Sequence, residues 1–325
     1  MVCLVCQKRE LNPMNETVLE IRSVSHFFRK GLTKNCVLHD VNLKVKEGQF
    51  VGLVGPSGCG KSVLFRGIVG THPPKEGEIL IFSGQENEVA QKKTKPDRNV
   101  GIVYQRYSLF PFLTAVENVA IGLMLDQTSI PSRLFRPLGW RKLRKRHLQE
   151  ATAMLEKVKL KDHLYKYPAE MSGGMCQRVA IAQAIILKPR ILLLDEPFGA
   201  LDEATRTELQ DMLLTLYAEN VKAKQKNERP PYTVLMVTHE LTEAIRVGDR
   251  VVGLSPFWNW KRDFQEFPGS TVVYDKPAPV FLPKQPVDFQ AIEEQKDEIT
   301  RATFDPNYTK NHEEFIHLWD KVSKG

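Results

Sequence analysis

The sequence predicts an α/β fold built on a parallel core sheet, and three apolar runs carry that expectation. Gln49-Phe50-Val51-Gly52-Leu53-Val54 is almost wholly apolar, as a strand covered on both faces must be, and it runs straight into glycines. Ile191 to Leu194 and Thr233 to Val237 repeat the pattern, with helical segments lying between the runs. Buried strands alternating with helices give a parallel sheet with helices on its faces.

Other elements group around this core. Val18 to Val24 and Val37 to Val45 read as two strands joined across a charged turn at Arg29-Lys30-Gly31, an antiparallel lead-in sheet. Between Tyr104 and Gly173 lies a mostly helical stretch carrying a basic run from Arg133 to His147, read as an inserted helical subdomain of about residues 107–175. A solvated helix face or a surface for lipid headgroups both fit that run. Past Ser255 the pattern changes to an aromatic, proline-rich loop and then a polar tail without regular alternating strands. At its end Phe315, Ile316, Trp319 and Val322 fall on one helical face, which predicts docking. The expected division is a flexible leader 1–16, one folded unit 17–255 and an extension 256–325.

The 325 residues are 42% hydrophobic and 26% charged, the balance of a soluble globular chain with a sizeable core. Charge or proline interrupts every apolar stretch well short of the roughly 20 residues a membrane span needs. A net charge of +7 permits attraction to nucleic acid or anionic lipid and does not choose between them. The N-terminal residues lack the order of a secretory signal, so a reducing cytosol is the expected compartment. Five cysteines, an odd number, argue against a disulfide framework. Cys3 and Cys6 form a lone CxxC with no second pair at zinc-site spacing.

Gly55-Pro56-Ser57-Gly58-Cys59-Gly60-Lys61-Ser62 fits GxxxxGK[ST] and lies where that motif must, between a buried strand and a helix. Its fixed positions match by chance in roughly one protein of this length in a hundred, so an ordinary glycine-rich turn is the weaker reading. Glycines let successive backbone N–H groups converge on phosphate oxygens, and the positive end of the following helix favours the anion. Lys61 would reach the β- and γ-phosphates, Ser62 would ligate Mg²⁺, and Cys59 reads as a small filler. Asp195 and Glu196 place two carboxylates at the C-terminal end of a buried strand, the edge where open parallel sheets bind ligands. Asp195 fits the metal, and Glu196 fits the general base that polarises the attacking water.

Met171-Ser172-Gly173-Gly174-Met175, followed by Cys176-Gln177-Arg178-Val179-Ala180, resembles the LSGGQ signature of ABC ATPases, with methionines in place of its leucine and glutamine. The resemblance continues from about Thr17 to Leu254. It implies a P-loop NTPase of the ABC-ATPase cassette type, a RecA-like core with an antiparallel β subdomain, an inserted helical subdomain and here a C-terminal extension. It also implies ATP and Mg²⁺ as cofactors. Ser172, Gly173 and Gly174 would form a second phosphate cradle facing the ATP of another subunit. Phe28 matches the aromatic that stacks on adenine, with Phe27 as the alternative and a core role open for either. Gln105 matches the residue that contacts Mg²⁺ and water, Asp202 a loop crossing the dimer interface, and His239 the switch histidine that meets the γ-phosphate.

Those carried-over roles imply an ATPase that works as a homodimer with integral-membrane permease subunits and an extracytoplasmic solute-binding protein. Its place would be peripheral, at the cytoplasmic face of the inner membrane, with no nucleic acid bound. Asp195-Glu196-Pro197-Phe198-Gly199-Ala200-Leu201-Asp202 looks like the importer form of this stretch, and Tyr104 to Gly122 most resembles the nitrate/sulfonate/taurine importer group. A stand-alone exporter subunit, and less closely a non-transport ABC ATPase, are the alternatives.

Overall fold

A computed structural model describes residues 17–31, 33–82, 91–106, 108–128, 137–199, 201–283, 287–311 and 314. Cys3 and Cys6, the first part of the basic run at residues 133–136, and the set Phe315, Ile316, Trp319 and Val322 lie outside the described residues.

Two sheets organise the chain. β1 (Thr17–Lys30) and β2 (Thr33–Lys46) form a long hairpin, extended by pairs such as Phe28 with Asn35 and Arg29 with Lys34. The strand therefore continues through the charged residues that read as a turn. β4 (Glu76–Ile81) pairs with the other edge of β1 and carries the short β5 (Gln91–Lys92), giving the order β2-β1-β4-β5.

The central sheet comprises β3 (Phe50–Val54), β6 (Val100–Val103), β7 (Ile191–Asp195), β8 (Val234–Val237), β9 (Arg250–Ser255) and β10 (Thr271–Pro277). Its order is β10-β9-β3-β8-β7-β6. The five strands from β9 to β6 run parallel, and β10 closes one edge antiparallel to β9. All five residues of β3 are buried, which is why that strand reads as an unbroken apolar run.

Between the sheets, Leu53, Leu193 and Val252 meet Leu19, Val41 and Ile79 of the antiparallel layer in one core. On the other face, α4 (Gly173–Ile185) and α5 (Glu203–Gln225) pack Ile181, Ile185, Leu209 and Leu213 against Leu192, Leu194 and Met236. α2 (Ala115–Gln127) and α3 (Pro137–Lys157) extend that core through Val119 and Leu155. They supply the expected inserted helices. The basic run is not wholly solvated: His147 is fully buried on α3, takes a 3.0 Å hydrogen bond with Gln127, and is held below its ordinary pKa by that burial.

Beyond Ser255 the structure differs from the loop and strandless tail that the sequence suggests. β10 is a central-sheet strand, and α7 (Phe289–Ile299), capped by Asp288, packs with α6 (Leu241–Val247) in a third core with Trp258, Tyr274 and Ile292. The Trp258 indole stacks on His39 and donates to the Gly269 carbonyl at 3.0 Å. β10 escapes sequence patterning because Asp275 and Lys276 interrupt it, yet Asp275 is buried. Its carboxylate receives both ends of the Arg250 guanidinium at 2.6 Å, and Arg250 also donates to the Lys44 carbonyl.

One fork thus ties β10, β9 and β2 together. Removing one partner of a buried ion pair leaves the other desolvated and unpaired, at a cost of about 3–5 kcal/mol. Asp275→Ala should therefore lower the unfolding free energy by about that amount in chemical denaturation, far more than an exposed pair such as Arg146–Glu150 would.

Asp249 behaves differently. It accepts from the Phe50 amide and the Tyr217 hydroxyl at the start of β3, and burial raises its pKa to about 6. A folded-state pKa raised above the unfolded value near 3.9 means that Asp249 supports folding below about pH 4. That support is lost as pH rises through about 6. The stability of Asp249→Asn relative to wild type should accordingly shift in the variant's favour between pH 4 and pH 7, and a difference independent of pH would contradict the raised pKa.

Candidate functional site

Apart from the second cradle and the aromatic on β1, the groups expected to bear on a nucleotide follow the C-terminal ends of parallel strands. β3 delivers the chain into Gly55 to Ser62, where α1 (Lys61–Val69) begins. Gly60 has φ 101°, and a Cβ there would stand 2.7 Å from Leu38, so both backbone and packing require glycine. Gly58 has φ 80° with open space around its Cα, while Ser57 and Ser62 are exposed and Pro56 is half-buried. Cys59 is buried in the core between the sheets, and burial raises its thiol pKa, which suits a filler role. Lys61 Nζ donates to the carbonyls of Gly55 at 2.7 Å and Pro56 at 3.0 Å, which holds the ammonium against the loop.

Strand register brings in the next three groups. Val103 lies opposite Leu194, and Asp195 opposite Val237, so Gln105, Glu196 and His239 each follow closely on the ends of adjacent parallel strands. Glu196 sits at the centre. One carboxylate oxygen lies 2.6 Å from His239 Nε2, and the other accepts from Gln105 Nε2 at 3.1 Å. Its backbone has φ 47°, a left-handed conformation costing of order 1–3 kcal/mol in a non-glycine residue, and its amide is held by the Val237 carbonyl at 2.9 Å.

Asp195 is half-buried, and burial together with the Glu196 charge raises its pKa, against the pull of Arg66, His239 and Lys61. The pull of Lys61 puts Asp195 within electrostatic reach of the phosphate loop. Among the described residues no group of three or more His, Cys, Asp or Glu could hold a metal. Ser62, Gln105 and Asp195 offer only oxygen donors with a single carboxylate. Such a set fits Mg²⁺, which prefers few protein ligands and completes its shell with phosphate oxygens and water.

Ser172 to Gly174 make no described contact with these groups. Ser172 caps α4, accepting from the Met175 amide at 3.3 Å, and it is exposed together with Gly173. The nearest side chains to Gly173 and Gly174 are Leu201 and Thr205, and no described contact joins them to the phosphate loop. A Cβ at Gly174 would stand 1.8 Å from Thr205 Cγ2, so this glycine lets α4 approach α5. Asp202 caps α5 by accepting from the Thr205 amide at 3.0 Å and hydroxyl at 2.7 Å, bonds that lower its pKa. Met171 and Met175, the two departures from the signature pattern, pack partly buried against the core.

Phe28 and Phe27 part company. Phe28 is 44% exposed and pairs with Asn35 on the hairpin whose Val37 and Leu38 back Gly60. The Phe27 ring is half-buried and covered by Lys34 Nζ at 4.1 Å and Arg29 at 5.6 Å. Phe28 is the more exposed of the two rings, although the His26 ring packs against it in a T-shaped contact at 4.9 Å.

Sequence reading missed the support under His239. Thr238 donates to the buried Glu243 carboxylate at 2.6 Å, Glu240 N–H donates back to Thr238 Oγ1 at 3.1 Å, and Arg206 lies 3.6 Å from Glu243. Flanked by Thr242 and near Glu240 and Arg246, Glu243 carries no sequence signal that separates it from a solvated helix face.

A family profile described as ABC transporter matches residues 38–199. The chain is 37% identical over 254 residues to a sulfate/thiosulfate import ATP-binding protein of Brucella melitensis, covering 78% of this chain and 63% of that protein. It is 38% identical over 237 residues to an aliphatic sulfonates import ATP-binding protein of Bacillus cereus, covering 73% of this chain and 81% of that protein. The match thus spans under two thirds of the sulfate-type relatives. A dimeric ATP-binding cassette solved in a post-hydrolysis state with ADP and phosphate aligns over 81% of this chain and 100% of its own, with TM-score 0.57 and 28% identity. Its fold extends the likeness beyond the profile.

The contact of Gly174 with Thr205 is directly testable. Gly174→Ala should destabilise the protein by about 1–3 kcal/mol through overpacking, and adding Thr205→Ser, which deletes the clashing methyl and keeps the hydroxyl on Asp202, should recover most of the loss in thermal unfolding.

Proposed function

The chain belongs to the ABC transporter family, and from that premise we propose that it is the ATP-binding and ATP-hydrolysing subunit of an importer for small anionic solutes of the sulfate, sulfonate or nitrate type. The observation that carries this reading is the Glu196 carboxylate, held between Gln105 and His239 beside the Lys61 loop. A carboxylate positioned by two flanking groups is preorganised to accept a proton from water. The import functions of the relatives and the importer-like stretch around Phe198 support the direction of transport.

Phosphate oxygens would take over the contacts that Lys61 makes with Gly55 and Pro56, while amides of the glycine-rich loop and the start of α1 surround them. Mg²⁺, bound through Ser62, Asp195 and Gln105, would neutralise charge between the β- and γ-phosphates. Glu196, kept in place by Gln105, orients and deprotonates the attacking water, His239 Nε2 exchanges its contact with Glu196 for the γ-phosphate, and Phe28 stacks on adenine. Ser172 and Gly173, both exposed, complete the site of a second copy, so that ATP favours a closed homodimer through contacts only that state provides.

Exposed aromatics beside Gln105 suit the permease partners. Phe112 is 70% exposed, Phe110 packs against it, and Tyr165 is 77% exposed next to the strand-like contact of residues 164–166 with the start of α2. No helix among the described residues is long and apolar enough to cross a membrane. In this reading, membrane coupling would fall to permease subunits, with this chain at the cytoplasmic face and a solute-binding protein on the far side.

Glu196→Gln keeps the hydrogen bond with Gln105 and removes the base. Steady-state hydrolysis should fall at least about 100-fold while ATP converts the variant from monomer to dimer in light scattering. A variant that hydrolysed normally, or stayed monomeric at saturating ATP, would sink the role given to Glu196.

A further inference from the structure

At the opposite edge of the central sheet, away from Glu196, lies a cavity of about 440 Å³ that the ATPase reading does not use. Its walls come from separate parts of the chain. Met154 is on α3, Ile185 ends α4, Leu192 opens β7, and Pro230 and Tyr232 precede β8. Ile185, Leu192 and Pro230 are buried, so the floor is apolar.

The rim is cationic. Lys157, Lys188, Arg190 and Arg229 face two carboxylates, Glu47 and Glu219, an excess of two positive charges. Both carboxylates are already engaged. Glu47 holds Arg190 at 2.7 Å and Arg229 at 2.9 Å, and Glu219 holds Lys157 at 2.9 Å. Lys188 makes no ion pair among the described residues, and Arg190 Nη2 is buried with no hydrogen-bond partner although its other two nitrogens are satisfied. A buried guanidinium nitrogen left unpaired is costly, and an anion brought within its reach by a small shift of the Arg190 side chain would remove that cost.

We propose that this cavity binds a small amphipathic anion, with a flat apolar body on Met154, Leu192 and Pro230 and a carboxylate or sulfonate among Lys188, Arg190 and Arg229, and that the bound anion fastens the inserted helices to the core sheet. The first part rests on the cavity alone. The second rests on the proposed ATPase function, because β7 leads from Leu192 to Glu196 over four residues, about 13 Å, and β8 leads from Thr233 toward His239 over six, about 20 Å. A ligand bridging α3 to the starts of those strands biases the position of the helices relative to the groups that meet the nucleotide, through differential contact with the two arrangements.

Naphthalene-2-sulfonate is a suitable probe for the whole protein, titrated by calorimetry or ligand-detected NMR. It should bind at least tenfold more tightly than 2-naphthol, which lacks the charge, and than inorganic sulfate, which lacks the apolar body. Lys188→Glu, an exposed substitution remote from the nucleotide groups, should weaken the sulfonate at least fivefold, and Lys188→Glu with Arg229→Gln further still. Equal affinity for naphthol, equal affinity for sulfate, or unchanged binding by the folded Lys188→Glu variant would each overturn the site. Saturating probe should also change the ATP hydrolysis rate of wild type at least twofold and that of Lys188→Glu much less. Binding without any change in rate would overturn the fastening role, whereas a wild type with no hydrolysis at all would count against the ATPase reading and leave the binding result standing.

Discussion

The parallel register of β6, β7 and β8 is the constraint on which the site depends. Hydrogen bonding fixes Val103 beside Leu194 and Asp195 beside Val237, so the residues that follow must emerge together at one edge. Three chemically distinct side chains, from positions 105, 196 and 239, meet there without any local sequence relation. Burial holds the register: a slip of one residue would move Leu193 and Leu235 from the core between the sheets into the helix-facing core and put Leu192, Leu194 and Met236 in their place, breaking the packing on both faces at once. The stability of the sheet is therefore what keeps Glu196 in a left-handed backbone conformation that it would not adopt alone.

A second rigid unit carries the other half of the chemistry. Ser172 caps α4, Gly174 lets α4 lie against Thr205, and Asp202 grips Thr205 in turn. The start of α4 and the loop before α5 are thereby packed into one unit that leaves Ser172 and Gly173 exposed. Under the proposed function this arrangement gives dimerisation a chemical role, because the phosphate loop and base of one chain would be completed by the cradle of another.

Much of this was legible because burial on both faces leaves an unmistakable mark in sequence. The runs ending at Val54, Leu194 and Val237 gave the core strands, and the glycines and carboxylates after them gave the groups at the nucleotide edge. Legibility failed where a long-range partner rewrites a residue's meaning. Asp275 looks like a strand breaker until Arg250 is known to receive it, His147 looks like part of a solvated basic run until its burial against Gln127 is seen, and Gly174 looks like a phosphate-cradling glycine although Thr205 also demands it. The choice between Phe27 and Phe28 turned on cross-strand Lys34, which no periodicity reveals. Met175, which stands where the signature pattern has glutamine, packs its side chain against the core, so in the proposed function the second cradle would draw on Ser172 and backbone groups.

The central claim is that one complete nucleotide site needs two chains, and a crosslink between singly substituted chains tests it most directly. Ser57 and Gly173 are both exposed, one on the phosphate loop and one on the signature. Chains carrying Ser57→Cys mixed with chains carrying Gly173→Cys, both in a Glu196→Gln background, should form a species of twice the mass with a short thiol crosslinker when ATP is present. Neither chain alone should do so beyond the background from the native cysteines. Absence of that species in the mixture at saturating ATP, or a crosslink formed within a single chain bearing both cysteines, would contradict a site shared between subunits.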